Sequence, residues 1–513
     1  MKPVQSSPTC PWSAAVPVRR STFTSLFAEH ESCNVQTDFA AYQAFSVPPA
    51  EAPARLGFAD YQMDPQYPTA RRQGAGRAIF YGEHYLKGTG RTPLAINWLN
   101  RGDTAHATGH MAASGAVREL VVSRYLRAKG LEQHIVPCTG LLLARMPQAL
   151  AEPLEVFYRE QQLQRPPSDQ HLQAISVKPA GFARWSNLVW LAHQSSGHPD
   201  RIRELAWMCE HFARPRPVGA EHEPAVGACT ATSIANELAR AMERGFESFE
   251  AFFRAGVFWG SYHNNFTLDG RFLDLELPCV VGETLLCKHH VHGGQGARGP
   301  IEHFGRPFGE EVLFYVRQVR LAFDTLVERF EAIARSCISA GVQQFLRQWI
   351  AALHRAVGAE HWIRNQEVLR ERMVALYRET GAPEAQLQAL VDALMAREFR
   401  GASLPAVVAH MADASFPMLE TGVHADLSII GDAPGLRSTQ AVDERRLLKS
   451  CLTELDALTD VDAYLERLRT WLEAIDREVR PTPTSREASV PGLGIPVAPV
   501  PSPIDAAGHR LAR

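Results

Sequence analysis

Apolar residues recur at helical spacing over much of the second half of the chain. From about residue 309 they alternate at steps of four and three, which predicts a long helix with one buried seam, formed by Val312, Val316, Val319, Phe323, Leu326, Phe330 and Ile333. The same periodicity predicts helices over 233–254, 343–357, 361–379, 383–398 and 440–478. The second half of the chain is therefore expected to be mostly helical.

The first half of the chain mixes strand-like and helix-like patterns. Two short strand-like runs begin at Ala78 and Tyr85, and further strands are predicted over 139–146 and 173–178. A helix is predicted over 115–129 and ends at Gly130; its apolar stripe consists of Val117, Leu120, Val121, Tyr125 and Leu126. Together these patterns indicate an α+β fold, with a mixed half followed by a helical half.

Both ends of the chain lack a clear pattern. Residues 1–55 are rich in Pro, Ser and Ala, so we interpret them as a loosely ordered N-terminal segment with a short helix near 23–27. Residues 480–513 are Pro-rich and poor in aromatic residues, which is typical of a disordered tail. Ordered structure is thus expected between about residues 56 and 479.

A small hairpin with polar ends is predicted within 256–274. Asp269-Gly270 is a strong tight-turn signal, so Asn265 and Asp274 should stand together at the open end of the hairpin. Amide and carboxylate oxygens suit Mg²⁺ or Mn²⁺ held against nucleotide phosphates, and protein kinases use such an Asn followed by an Asp. The alternative is a hairpin with a polar turn and a capping asparagine.

A glycine-rich region over 73–93 suggests a phosphate site in the mixed half. Glycines let the backbone approach a phosphate closely, and Arg77 or Lys87 would supply the countercharge. Glu119 lies close to the apolar stripe of the helix over 115–129 and needs a cationic partner, for which Lys87 is the candidate. The alternatives are an ordinary antiparallel hairpin, a solvated lysine, and a glutamate paired with an arginine on its own helix.

Composition and charge limit the classes of partner. The chain has 513 residues and a net charge of −3, which excludes a globally basic nucleic-acid binder. Its nine cysteines form no CxxC pair, as expected for reduced thiols in a cytoplasmic protein. No apolar run approaches the ~18 residues that span a bilayer, and no apolar signal core is present, so neither nucleic acid nor membrane is expected as a partner.

A cluster of soft ligands follows the hairpin. Cys287, His289, His290 and His292 suggest a metal site at first sight. Structural zinc, however, usually requires a second ligand pair at a defined spacing, and the sequence offers none. The role of this cluster stays open.

The order of these segments matches the plan of a protein-kinase-like, two-lobed fold. Residues 56–190 would form a nucleotide-binding N-lobe of mixed strands and a helix. Residues 191–479 would form a helical C-lobe that includes the hairpin at 256–274 and ends in a helical extension.

Several motifs resemble blocks of the selenoprotein O family, over roughly 70–290. The segment LKGTGRTP at 86–93 is similar to the family's LKGAGRTP block, and GAGRA at 74–78 resembles its GDGRA block. The segment GAVREL at 115–120 resembles the helix segment STIREF, and 176–184 resembles the RVAPSxIR block. The step from Asn265 to Asp274 equals the family's step between its metal-binding Asn and Asp.

The resemblance implies a kinase-fold enzyme that uses ATP and Mg²⁺ or Mn²⁺ to transfer AMP onto a hydroxyl of a protein or small-molecule acceptor. It assigns Asn265 and Asp274 to the metal. To the nucleotide it assigns Gly74, Gly76, Arg77, Lys87, Thr108, Gly109, Glu119, Lys178 and Arg184.

One departure from the family concerns the catalytic base. The family's catalytic Asp is replaced here by Asn264, whose amide does not accept a proton as a carboxylate does, and the neighbouring His263 is the candidate substitute. The alternatives are therefore a catalytically impaired nucleotide-binding pseudokinase or scaffold, and a kinase that acts on a small molecule.

Overall fold

The computed structural model describes residues 13–18, 24–28, 55–63, 76–90, 92, 94, 109, 111–145, 151, 155, 172–194, 201–213, 230–259, 265–276, 278–280, 308–337, 339–399, 429–455, 458 and 460–482. These residues form a mixed α+β fold that is mostly helical, with an antiparallel sheet in its N-terminal part. No helix among them is long and apolar enough to cross a membrane.

The described residues of the N-terminal part contribute seven strands to one sheet. The strands are β1 (Ser13–Val18), β2 (Thr24–Ala28), β3 (Arg55–Asp60), β4 (Ala78–Tyr81), β5 (His84–Lys87), β6 (Gly140–Arg145) and β7 (Leu172–Pro179). Their order across the sheet is β1-β3-β4-β5-β7-β6-β2, and every neighbouring pair is antiparallel. Two further short strands, β8 (Val257–Phe258) and β9 (Cys279–Val280), pair with each other.

The described helices begin with α1, which packs against the sheet, and continue through the rest of the chain. They are α1 (Ala113–Ala128), α2 (Trp185–Gln194), α3 (Arg201–Phe212), α4 (Ala231–Ala255), α5 (Phe308–Ser336), α6 (Ala340–Ala356), α7 (Gln366–Arg378), α8 (Glu384–Phe399), α9 (Pro434–Arg437), α10 (Thr439–Leu455) and α11 (Val461–Glu478). A single 3₁₀ turn, Glu132–His134, lies between α1 and β6.

The core of the helical part is aromatic, and it holds the predicted hairpin. The indole of Trp259 stacks on Phe272 of the hairpin at a centroid distance of 4.5 Å and donates a hydrogen bond of 2.8 Å to the Leu273 carbonyl oxygen. On the other side of Phe272, Phe249 of α4 lies at a centroid distance of 4.7 Å. Burying the aromatic side chains in this way fixes the hairpin against α4.

Two glycines allow the hairpin turn to lie directly on the backbone of α4. Gly270 has φ of +87°, and a Cβ atom there would lie 2.5 Å from the backbone nitrogen of Gly245. A Cβ atom at Gly245 would lie 1.8 Å from the hydroxyl oxygen of Tyr315 on α5. The turn therefore needs a left-handed residue without a side chain, and α4 needs a glycine at position 245 because Tyr315 lies against it.

Most of the predicted elements are confirmed. The helix predicted over 115–129 is α1, which ends before Gly130 with φ of +77°, and the strands predicted over 139–146 and 173–178 are β6 and β7. The helices predicted over 233–254, from about 309, over 343–357 and over 383–398 are also present.

Two helix boundaries in the structure differ from those predicted from apolar spacing, because a capping side chain starts each helix at a later residue. The helix predicted over 361–379 starts at Gln366, since Asn365 Oδ1 accepts a hydrogen bond of 3.0 Å from the Glu367 N–H. The helix predicted over 440–478 is two helices, and the Asp460 carboxylate caps the second by accepting a bond of 2.8 Å from the Ala463 N–H.

The short helix predicted near 23–27 is wrong. This segment is strand β2, which pairs with β6 at the edge of the sheet. A weak local helical pattern gives way to pairing with a neighbouring strand, since strand formation depends on tertiary context. Most of the region 1–55, and the proposed tail beyond residue 482, lie outside the described residues.

Candidate functional site

Charged side chains from β5 and β7 lie on one face of the sheet. In the antiparallel register Tyr85 pairs with Lys178 and Lys87 pairs with Ser176, so both lysines project from the same face. Both are buried, with 6% exposure for Lys87 and 1% for Lys178. A buried ammonium needs a negative partner, and each of the two lysines has one.

The hairpin brings its two predicted metal ligands together. The Thr267 N–H donates to the Arg271 carbonyl oxygen at 2.8 Å and the Leu273 N–H to the Asn265 carbonyl oxygen at 2.7 Å, closing the turn at Asp269-Gly270. As a result Asn265 Nδ2 donates to Asp274 Oδ2 at 3.3 Å. The predicted hairpin geometry is therefore confirmed.

Asp274 has an unusual backbone conformation. With φ of 60°, it is the one non-glycine residue in the described part of the chain whose φ is positive. Left-handed backbone is costly for most residues other than glycine and is tolerated where the surroundings enforce it, often at functional sites. Here it turns the Asp274 carboxylate toward β5, where Lys87 pairs with it.

Lys87 joins the hairpin to the sheet through two carboxylates. Its Nζ forms an ion pair with Asp274 Oδ1 and lies 3.2 Å from Glu276 Oε1. Burial alone would lower the pKa of Lys87, but the two carboxylates outweigh it and raise this pKa above its ordinary value. Burial would raise the pKa of Asp274, but Lys87 outweighs it and holds this pKa below its ordinary value. Both groups are therefore charged at neutral pH.

The ion pair predicted between Lys87 and Glu119 is not formed. The Glu119 carboxylate on α1 pairs with Lys178 instead, and its Oε1 also accepts a hydrogen bond of 3.1 Å from the Leu275 N–H. Lys87 and Lys178 project from the same face of the sheet, on the side that α1 covers. Lys87 does not pair with Glu119 because it already pairs with Asp274 and Glu276. Glu119 consequently links α1, β7 and the residue that follows Asp274.

Arg184 also connects the hairpin to the sheet, through Tyr85 on the face that carries Lys87. Its guanidinium donates to Asn265 Oδ1 at 2.9 Å and also hydrogen-bonds the Tyr85 hydroxyl on β5. Burial raises the pKa of Tyr85 to about 12, so the phenol stays neutral. Arg184 thereby orients the Asn265 amide, and its predicted contact with a nucleotide stays a prediction.

Glycine turns lie at the edge of this cluster. Gly88 has φ of +99°, and a Cβ atom there would lie 2.4 Å from the Ala174 carbonyl oxygen, so no other residue fits. The Gly88 N–H donates to the Arg77 carbonyl oxygen at 2.8 Å, the Gly90 N–H to Gly109 at 3.0 Å, and the Thr92 N–H to Gly76 at 2.9 Å. The turns predicted from the glycine spacing therefore stand beside Arg77 and Lys87.

The structure gives no position for some of the predicted site residues. Gly74, Thr108, His263, Asn264 and the cluster Cys287, His289, His290 and His292 lie outside the described residues.

Sequence reasoning missed Glu276 and Tyr85. Glu276 stands two residues after Asp274, in a turn that follows the left-handed backbone of Asp274, so no simple spacing rule pointed to it. No such rule marks Tyr85 either.

The donor set fits a hard divalent cation. Asn265 and Asp274 carry amide and carboxylate oxygens, the ligand types that Mg²⁺ takes, although here the amide oxygen accepts a hydrogen bond from Arg184 and the carboxylate pairs with Lys87. Among the described residues no group of three or more His, Cys, Asp or Glu side chains converges as a complete metal cage.

A solvent-open groove lies away from this cluster. It runs between the start of α4 and α6 and is lined by exposed residues such as Thr230, Gln344 and Arg347. It contains none of the buried charged residues, so we place the candidate site at the hairpin and sheet. No protein-family model matches the chain, and no curated protein matches it either.

Proposed function

We propose that this protein is a Mg²⁺- or Mn²⁺-dependent nucleotidyltransferase that uses ATP to transfer AMP to a hydroxyl group of a protein or small-molecule acceptor. The observation that carries the proposal is the meeting of Asn265, Asp274 and Lys87. Asp274 and Lys87 are 187 residues apart in the chain and form a buried ion pair, and Asp274 adopts left-handed backbone to do so. A buried ion pair is weak evidence of a stabilising role, and left-handed backbone at a non-glycine residue clusters at functional sites, which together support a functional role for this cluster.

The order of elements supports a kinase-like, two-lobed arrangement for this site. Lys87 lies on β5, the fourth strand of the antiparallel run β1-β3-β4-β5, and the helix after it carries Glu119. In protein kinases the phosphate-binding lysine is on the third strand and its glutamate on the following helix. Here Glu119 pairs with Lys178, so the proposed arrangement departs from kinases in the position of the lysine strand and in the partner of that glutamate.

The proposed roles follow from the charges and hydrogen bonds of the cluster. Asn265 and Asp274 would hold the metal, which when bound neutralises charge on the phosphates. Lys87 and Arg77 would bind phosphate oxygens, and the backbone turn at Gly88 and Gly90 would lie against them. Arg184 holds the amide of Asn265 in place, and Glu119 holds the backbone at Leu275.

The transferred group is proposed from the resemblance to the selenoprotein O family, whose members transfer AMP. Catalysis of such a transfer depends mainly on positioning the reactants and stabilising charge. A general base typically raises the rate by about 10²–10⁴-fold. Replacement of the family's catalytic Asp by Asn264 therefore predicts a slow enzyme, with His263 as the base. Asn264→Asp is expected to raise the rate.

Asn264 also favours a second candidate function, a nucleotide-binding pseudokinase or scaffold. In that case ATP with Mn²⁺ would bind at the same residues but would not turn over. Specific binding raises the apparent Tm of the folded chain in either case, so binding alone does not separate the two candidates.

The experiment that separates them follows the label from ATP. The purified chain is incubated with Mn²⁺ and candidate acceptors, using ATP labelled at the α or at the γ phosphate. Transfer of the α label supports AMP transfer, whereas transfer of the γ label identifies a kinase. Label transfer that is absent while Lys87-dependent ATP binding is present supports the pseudokinase. If ATP with Mn²⁺ neither binds nor reacts, the site is not a nucleotide site.

A further inference from the structure

One carboxylate, Glu276, lies between the two cations of the candidate site. Its Oε1 atom accepts a hydrogen bond of 2.8 Å from Arg77 NH2 and also lies 3.2 Å from Lys87 Nζ. The Glu276 side chain is 3% exposed. A single buried carboxylate oxygen therefore holds the glycine-rich turn, through Arg77, and strand β5, through Lys87.

The position of this carboxylate resembles that of a phosphate group. Arg77 and Lys87 are the cations that, under the proposed function, bind the phosphates of ATP. A carboxylate and a phosphate offer the same kind of oxygen to a guanidinium and an ammonium. Because Glu276 and Asp274 together neutralise Arg77 and Lys87, a free polyphosphate would meet both cations already paired.

We propose that Glu276 is a specificity residue that occupies a phosphate position between Arg77 and Lys87, and thereby makes the site select metal-bound polyphosphate over free polyphosphate. This inference rests on the proposed function. A divalent cation arriving with the polyphosphate compensates the carboxylates of Asp274 and Glu276, so Lys87 and Arg77 become available to phosphate oxygens. A polyphosphate without metal has to displace Glu276 from both cations while adding negative charge beside it.

The test measures the affinity of inorganic tripolyphosphate by isothermal titration calorimetry, with Mn²⁺ and with chelator. The wild type is expected to bind tripolyphosphate at least ~10-fold more weakly without metal, on the scale of one charged hydrogen bond. In Glu276→Gln the side chain keeps its shape and loses its charge. Its metal-free affinity should rise by about 10-fold or more, and the ratio of affinities with and without Mn²⁺ should fall.

A matched control is available at a second buried glutamate. Glu444 on α10 is 4% exposed and pairs with Lys129 at 2.9 Å. This pair lies beside α1, and neither residue belongs to the candidate site. Glu444→Gln removes a buried paired charge in the same way and should leave the tripolyphosphate affinities at wild-type values. Glu276→Ala serves as a second variant if Glu276→Gln does not fold, as judged by circular dichroism.

Several outcomes would overturn the inference. The inference fails if Glu276→Gln binds tripolyphosphate without metal as weakly as the wild type does, or more weakly. It also fails if the variant loses Mn²⁺-dependent binding, because Glu276 would then be a metal ligand. The inference also fails if the wild type binds tripolyphosphate equally well with and without Mn²⁺, or if neither the wild type nor Glu276→Gln binds tripolyphosphate.

Failure of the proposed function has a different signature. If tripolyphosphate behaves as expected while neither α nor γ label is transferred and ATP binds no better than tripolyphosphate, the selection by Glu276 stands and the nucleotidyltransferase does not. If label is transferred but Glu276→Gln gains no metal-free affinity, only the inference about Glu276 fails.

Discussion

The sheet-and-hairpin region and the helical region bury different kinds of side chain. In the first, Lys178 and Glu119 pair at 1% and 0% exposure, and Lys87 and Glu276 at 8% and 3%. In the second, the interior is aromatic, and ion pairs such as Arg254 with Glu379 stay partly exposed, at 27% and 41%. The pair of Glu444 with Lys129, at 4% and 10%, is a buried exception.

This difference has an energetic consequence for each region. Burying two charges costs desolvation that their attraction often fails to recover, so apolar packing would stabilise the sheet region at least as well. The helical region relies on apolar packing of this kind and holds the hairpin in place with aromatic contacts. The sheet region instead holds charges in fixed positions, which the proposed phosphate and metal site would require.

The largest expected effect comes from breaking the buried pair on the sheet side. Glu119→Ala leaves Lys178 buried without its partner and should lower the free energy of unfolding by about 3–5 kcal/mol. Replacing both residues, Glu119→Leu with Lys178→Met, should recover most of that loss, since neither charge remains. Urea unfolding at constant m-value measures the changes.

The matched control for Glu119→Ala lies in the helical region. Arg254→Ala breaks the partly exposed pair with Glu379 and should cost no more than about 1 kcal/mol. If Glu119→Ala costs as little as Arg254→Ala, the two regions do not differ in the way inferred.

A second prediction concerns ligand binding at the hairpin. Asp274→Ala removes the carboxylate proposed to hold the metal, and Mn²⁺-dependent ATP affinity should fall by about 100-fold or more, because changes that merely support a metal ligand already cost about 10–100-fold. Asn265→Ala should have a smaller effect, because a neutral amide oxygen holds a dication less strongly. Calorimetric titration of ATP with and without Mn²⁺ measures both variants.

Asp392 supplies the control for this prediction. It pairs with Arg370 on the surface of the helical region and is 55% exposed, so Asp392→Ala should leave ATP affinity unchanged. Wild-type metal-dependent affinity in folded Asp274→Ala would contradict the metal assignment.

The smallest expected effect is a pH dependence at the junction of the two regions. His134 contacts Ser248 of α4 at 3.0 Å, and burial lowers its pKa from 6.5 to about 4. Between these two pH values the unfolded chain binds a proton that the folded chain excludes, so the free energy of unfolding should fall as the pH drops from about 6.5 to about 4. His134→Gln should flatten that decline.

Chemical denaturation at several pH values between 4 and 7 tests this prediction. His354 is exposed on α6, and His354→Gln should keep the wild-type slope. An unchanged slope in His134→Gln would show that this histidine is not what makes folding sensitive to acid.

Local patterns in the sequence determined most of the elements and the shape of the hairpin. The apolar stripe from Val117 to Leu126 specifies α1, and Asp269-Gly270 specifies the turn that brings Asn265 to Asp274. These features depend on residues within one or two turns of each other, and such short-range preferences can be read from spacing alone.

The tertiary structure decided which charge pairs with which. The sequence contains Lys87, Lys178 and Glu119 but does not state that the two lysines share one face of the sheet, nor that Asp274 and Glu276 reach Lys87 from a hairpin far along the chain. Likewise β2 becomes a strand through pairing with β6. Which charged side chains pair in a buried cluster depends on where each helix and strand packs and on how strongly all the charges of the cluster attract or repel one another. Neither can be read from a short stretch of sequence.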